Sequence, residues 1–255
     1  MRRVASAAEA LGFADVWVSD HVCHPAEQTY PSPYLLDPLV TLGWAAAVTE
    51  QVGLGTSVLV LPLHEPIGIA KALASLDVMS GGRLTVAVGA GWSEREFTAV
   101  GADFQTRGAR LDESIDVLRT CWRDDPAWFA GQHYSFHEIR VVPRPARPVP
   151  IWVGGGSDAA LRRGVTKGDG FHLIGLTPDQ AAAHVARLRR DRPEEGFTIS
   201  LRTGWDPQGM DPDVIRREHE EFIAAGVQHV VCAPWRTSAD DWLRSMEILA
   251  DLLAL

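Results

Sequence analysis

Gly12-Phe13-Ala14-Asp15-Val16-Trp17-Val18-Ser19-Asp20-His21 holds a helix stop, a short apolar strand and a polar cluster within ten residues. Upstream of it, Val4, Ala7, Ala8 and Leu11 fall at i, i+3, i+4 and i+7 on one helix face, and Gly12 ends that helix. Downstream, the same alternation continues. Short apolar runs at Val52 to Leu61, Leu84 to Val88, Pro150 to Val153, Gly170 to Ile174, Phe197 to Leu201 and Val227 to Val231 predict strands. Amphipathic segments at Pro38 to Glu50, Pro66 to Ser80, Gly108 to Cys121, Ser157 to Lys167, Pro178 to Arg190, Asp211 to Ala225 and Ser238 to Leu253 predict the helices between them.

Most of the apolar runs are continuous, not alternating, which marks strands covered on both faces. Strand–helix repeats then imply a parallel sheet with right-handed crossovers. An open Rossmann-like sheet would alternate in the same way; seven strands, each followed by a helix, fit a barrel better. A barrel takes ~250 residues, so residues 1–255 fit one such domain. Residues 125–148 break the rhythm. Tyr134-Ser135-Phe136 and then Pro143, Pro145, Pro148 and Pro150 read as a hairpin followed by a proline-stiffened loop inserted before the next core strand. The first helix has no capping residue, and Arg2 and Arg3 stand at the positive end of its dipole. The expectation is therefore a barrel lacking its first strand, from a gene product that starts upstream of Met1.

The formal net charge of −9 argues against nonspecific nucleic-acid binding. No apolar run reaches the ~20 residues of a membrane helix, and Glu9 and Asp15 interrupt the place where an export-signal core would lie. Cys23, Cys121 and Cys232 are few, odd in number and widely spaced, which suggests a cytoplasmic chain without a disulfide framework. Cys23 and His24 match no standard zinc spacing, so no metal is expected.

A barrel carries its chemistry at the carboxyl ends of its strands. Those ends offer Ser19-Asp20-His21, in which His21 could move a proton with Asp20 orienting it, or which could form only a polar turn. In Gly53-Leu54-Gly55-Thr56-Ser57-Val58-Leu59 the two glycines fit either a ligand's close approach or packing within a narrow barrel. Gly89-Ala90-Gly91-Trp92 is a weak dinucleotide-like signal, and Trp92 fits either a stacked ring or core. Gly154-Gly155-Gly156-Ser157-Asp158 runs from strand into helix and suits a phosphate, or a turn capped by Ser157 or Asp158. Trp44 reads as core or helix packing. Arg202 and Arg236 read as surface arginines, with an anion contact as the alternative.

Taken in order, Gly12 to His21, Gly55-Thr56-Ser57-Val58, Ser80-Gly81-Gly82-Arg83-Leu84, Gly89-Ala90-Gly91-Trp92 with Glu96-Phe97, Pro150-Ile151-Trp152-Val153-Gly154-Gly155 and Gly168-Asp169-Gly170 resemble the luciferase-like monooxygenase superfamily, and most closely its coenzyme F420-dependent branch. The resemblance spans nearly the whole chain. It implies a (β/α)8 TIM barrel of the bacterial-luciferase type, a homodimer and a small-molecule substrate. It places Asp20 and His21 beside a deazaflavin ring and a non-proline cis peptide at Ser57-Val58 behind it. Thr56, Gly89, Gly91 and Trp92 would complete the cofactor site, and Gly154, Gly155 and Gly156 would hold its phosphate. Trp92 stands where the family's sugar-phosphate dehydrogenases carry a catalytic glutamate, and Pro25 where they carry a tryptophan. Both departures argue for a less polar alcohol, aldehyde, enone or imine as substrate. An FMN-dependent monooxygenase and a non-catalytic flavin-binding barrel are the other readings.

Overall fold

A computed structural model describes residues 2–28, 34–234 and 236–255. Its main sheet has seven parallel strands: β1 (Asp15–Val18), β2 (Gly53–Leu59), β3 (Leu84–Val88), β6 (Ile151–Gly154), β7 (Gly170–Ile174), β8 (Thr198–Thr203) and β9 (His229–Cys232), hydrogen-bonded in that order. Between β3 and β6 the chain forms an antiparallel hairpin of β4 (Ala127–Ala130) and β5 (Ser135–Ile139), within the stretch that the prolines and Tyr134-Ser135-Phe136 mark as an insertion.

Eight helices surround the sheet: α1 (Arg2–Ala10), α2 (Pro38–Val48), α3 (Pro66–Met79), α5 (Arg107–Arg123), α6 (Asp158–Lys167), α7 (Pro178–Asp191), α8 (Pro212–Ala224) and α9 (Ala239–Leu253). Neighbours in this series pack on one another, and α9 packs on α1, so the helical ring is closed. The sheet inside it is nearly closed: among the described residues β1 and β9 are its two ends and share no ladder. The barrel is therefore of the (β/α) type, and an open Rossmann-like sheet is ruled out.

Local chemistry sets the helix bounds. Helices α2, α3, α7 and α8 each start on a proline, whose fixed φ suits the first turn, after Asp37, Glu65, Thr177 and Asp211 as N-caps. Arg83, at the entry to β3, donates to the carbonyls of Ala46, Thr49 and Val52, placing a cation on the negative end of α2.

The two glycines of β2 serve packing. A side chain at Gly53 would run into the Asp15 carboxylate, and one at Gly55 into the Trp17 indole. The space is used by Trp17, which stacks on Trp152 and His172 at 5.4 Å centroid separations inside the barrel. Two expectations fail. Trp44 is 58% exposed on α2 and is not core. Arg202 is not a surface residue; it lies within β8 and donates to the Ser57 carbonyl (2.7 Å) across the barrel.

Candidate active site

The carboxyl ends of β1, β2, β3 and β6 bring the sequence candidates together. The Ser57–Val58 peptide is cis. The Ser57 carbonyl accepts from Arg202 Nη1 (2.7 Å) and Ser19 Oγ (3.2 Å), and its Oγ lies 2.8 Å from His172 Nε2. Val58 follows and fills a slot between two glycines. An added Cβ would come within 2.6 Å of Val58 Cγ2 at Gly89 and within 2.5 Å of Val58 Cγ1 at Gly154. Both glycines thus make room for Val58, whatever else they do. Gly91 has φ +80°, and a Cβ there would press on Phe97 and Val60. Thr56 is fully buried and donates its hydroxyl hydrogen to the Ala87 carbonyl (2.7 Å), so it has no hydrogen left to give a ligand.

Val58 thus forms a ledge near the carboxyl end of β2, and His21 follows the carboxyl end of β1 in a defined environment. Its Nδ1 lies 3.0 Å from Glu96 Oε2, while Glu96 Oε1 accepts from the Val22 amide (2.7 Å). A carboxylate can only accept, so Nδ1 carries the hydrogen and Nε2 is left for a ligand. Glu96 is 2% exposed and belongs to the short helix α4 (Glu94–Ala99). The expectation that Asp20 orients His21 is corrected here. Asp20 Oδ2 instead accepts from the Val60 amide (2.9 Å) and bonds His64 Nε2 (2.7 Å), tying the end of β1 to the turn after β2. In sequence Glu96 stands out only as part of a motif; Ser93-Glu94-Arg95-Glu96 has capping-box spacing, but its glutamate reaches the β1 loop and not the cap.

The wall beside His21 is aromatic. His24 lies 4.6 Å from it between ring centroids, and Trp92 meets it edge-on at 5.8 Å. Trp92 is 59% exposed, so it borders the site's mouth and is not core. Burial, and then the positive charge that His21 can carry, lower the His24 pKa, and its buried Nε2 has no partner within the described chain. After β6, Gly155 takes φ +132° and a Cβ on Gly156 would meet nothing. Ser157 caps α6 through the Ala160 amide (3.2 Å), as its spacing suggests. This leaves an uncluttered helix N-terminus facing the loop, with a backbone able to receive an anion. Arg236 is spent on Asp206 (2.7 Å). No group of three or more metal-ligating side chains occurs among the described residues.

An oriented histidine and a glycine-rich helix start at the carboxyl ends of parallel strands define a (β/α) barrel with its candidate site at the end where such barrels carry their chemistry. The sequence profile of the luciferase-like monooxygenases matches residues 1–242, and the chain belongs to that family. An uncharacterized protein of Mycobacterium bovis is 32% identical over 269 residues, 98% of this chain and 92% of that one. The F420-dependent glucose-6-phosphate dehydrogenase of Kineococcus radiotolerans is 36% identical over 168 residues, 64% of this chain, which spans about half (49%) of that enzyme. Among solved structures, an F420-dependent secondary alcohol dehydrogenase superposes with TM-score 0.81 at 19% identity, covering 98% of this chain and 92% of that one. The coenzyme F420-dependent tetrahydromethanopterin reductase of Methanopyrus kandleri superposes with TM-score 0.80 at 16% identity, with the same coverages. No helix among the described residues is long and apolar enough to cross a membrane.

Proposed function

We propose that the protein is a coenzyme F420-dependent oxidoreductase that moves hydride to or from a small organic substrate. The observation that carries this reading is the Val58 ledge between Gly89 and Gly154, with the free Nε2 of His21 at the same end of the barrel. The residues suit a tricyclic ring with a phosphate tail. Val58 would back the ring, and Gly154, Gly155, Gly156 and the α6 N-terminus would take the phosphate. When bound, the coenzyme supplies the two-electron hydride chemistry.

The chain's own residues supply position and proton movement. With an alcohol as substrate, His21 Nε2 takes the hydroxyl proton as the carbonyl forms; in the reverse direction the imidazolium returns it. Glu96 fixes the ring's orientation through Nδ1, so Nε2 stays aimed at the reacting oxygen. Trp92 and His24 give the wall beside His21 an aromatic character, with no additional carboxylate where Trp92 stands. This supports a less polar alcohol, aldehyde, enone or imine over a sugar phosphate. The test is to equilibrate the purified chain with coenzyme F420 or FMN, desalt it, and measure the retained fluorescence. Retention of F420 with secondary-alcohol-dependent bleaching of its absorbance supports the proposal. Retention of FMN alone would transfer the site to the monooxygenase reading, and retention without turnover of any donor or acceptor to the non-catalytic one.

We also infer a homodimer. Helix α2 is apolar all round, and Val40 (72% exposed) and Trp44 (58%) form one outward stripe at i, i+4. Light scattering should give twice the chain mass, and Trp44→Arg should give monomer; a monomeric wild type would end this reading.

A further inference from the structure

Below Val58, the barrel interior holds a row of polar side chains. His172 on β7, Ser200 on β8 and His229 on β9 are register partners and so point the same way. The bonds are continuous. Ser57 Oγ to His172 Nε2 is 2.8 Å, and His172 Nδ1 to Ser200 Oγ is 3.0 Å. Ser200 Oγ to His229 Nδ1 is 3.1 Å, and His229 Nε2 to Asp15 Oδ2 is 2.7 Å. Asp15 is the first residue of β1 and borders a cavity at the amino end of the barrel with Gln51, Arg83 and Arg147. At the other end, Arg202 Nη1 lies 3.5 Å from Ser57 Oγ and 2.7 Å from the Ser57 carbonyl. The row therefore spans the gap between β9 and β1 and ends on the residue that precedes Val58.

Its two ends determine its direction. The Asp15 carboxylate can only accept, so His229 carries its hydrogen on Nε2. With Nδ1 unprotonated, His229 accepts there from the Ser200 hydroxyl, and Ser200 accepts from His172 Nδ1–H. That leaves His172 Nε2 to accept from the Ser57 hydroxyl. The Arg202 guanidinium can only donate, and Ser57 Oγ in this sense offers it a lone pair. Burial first, and then the Arg202 guanidinium, push His172 down to about 3, so it stays neutral. Each donation points from the guanidinium toward the carboxylate. In the reversed direction Ser57 Oγ would accept from both His172 Nε2–H and Arg202, and its own hydrogen would have neither of them as a partner.

We propose that Asp15 and His229 are positioning residues: from the amino end of the barrel they fix the direction of this chain, commit the Ser57 hydroxyl to His172, and so hold the Val58 ledge. The role in cofactor binding rests on the proposed function; the direction of the chain does not.

The experiment is heteronuclear NMR of the whole protein with ¹⁵N-labelled histidine and ¹³C-labelled valine methyls, first without cofactor. Wild type should show His229 as the Nε2–H tautomer and His172 as the rarer Nδ1–H tautomer. In Asp15→Ala, His172 should lose its single tautomer and the Val58 methyl resonances should move. Affinity for coenzyme F420 should fall about tenfold, the scale of one charge-assisted hydrogen bond. Ser200→Ala cuts the row at its middle. It should reproduce the Val58 change and make Asp15→Ala silent when the two are combined. An Nε2–H His172 in wild type overturns the proposal. So do Val58 methyls that stay fixed in a folded Asp15→Ala or Ser200→Ala protein, or an Asp15→Ala effect that persists in full on the Ser200→Ala background. If Asp15→Ala does not fold, the wild-type tautomers and Ser200→Ala decide. If no form binds F420 or FMN, the proposed function fails while the tautomers and methyls still decide this inference.

Discussion

Val58 and Gly154 share one space: the Cβ that Gly154 lacks would lie 2.5 Å from Val58 Cγ1. Val153 and Gly154 are the last residues of a strand that is buried throughout, so nothing nearby can yield cheaply. Gly156, two residues on, has no atom within 4 Å of an added Cβ. The same glycine run therefore holds one position fixed by packing and one that is open.

This contrast gives the first prediction. Gly154→Ala should displace Val58, lower stability by ~1–3 kcal/mol as overpacking does, and abolish high-affinity cofactor binding. Gly156→Ala should leave the melting temperature nearly unchanged. Calorimetry of both variants with a cofactor titration checks it. Equal melting temperatures for Gly154→Ala and wild type would mean that Val58 is not confined.

The second concerns Glu96. Its carboxylate holds His21 Nδ1 and the Val22 amide together. Glu96→Gln can present an amide hydrogen to Nδ1 and so favour the wrong tautomer. Turnover should fall toward the loss expected for His21→Ala, which for a positioned acid–base group is ~100-fold or more, with cofactor affinity retained in both. Steady-state kinetics beside equilibrium binding separates the two effects. A Glu96→Gln enzyme with wild-type kcat would leave His21 as a wall of the pocket.

The parts of the site that the sequence announces are those made by neighbours in the chain. The polar end of β1, the Gly154–Ser157 junction and the hairpin before β6 all follow from local residue type and turn chemistry. The pairings do not. Asp20 looked like the partner of His21 because it is adjacent, yet adjacent residues leaving a strand face different ways. The true partner lies 75 positions away on a six-residue helix, too short for any periodicity to reveal. Gly53 and Gly55 were ambiguous for a similar reason: what they accommodate, Asp15 and Trp17, belongs to another strand. Trp44 misled because α2 is apolar on all sides, which hides which face is inward.

A third prediction follows from the cysteines. Burial pushes the Cys121 thiol up to about 11 and the Cys232 thiol up to about 12. The thiolate is the nucleophile, so both are inert near neutral pH. Iodoacetamide should label neither in the folded protein, and both should label after unfolding in guanidinium. Mass spectrometry of a digest reads the sites; rapid native labelling of Cys121 would show that the α5 packing opens far more readily than its burial implies.

The last prediction is a pH dependence. His64 bonds Asp20, and its side chain is 19% exposed against 2% for Asp20. Burial alone would lower the His64 pKa. The hydrogen bond and charge of Asp20, with Asp37 and Glu96 adding to them, outweigh burial and raise it above 6.5. The folded state therefore binds a proton that the unfolded chain has begun to release. A raised histidine pKa contributes stability that is fully present below the unfolded value of about 6.5, and that is lost as pH rises through the folded value. His24, whose pKa is lowered, works in the opposite sense, but it is present in both proteins when wild type is compared with His64→Gln. The melting-temperature gap between the two should thus be widest near pH ~5.5, where carboxylates are still ionised, and should narrow by pH ~8.5 as the imidazolium is lost. The neutral hydrogen bond to Asp20 would remain there, so the gap need not close. A gap that is constant across that range would mean that His64 meets Asp20 as a neutral donor throughout.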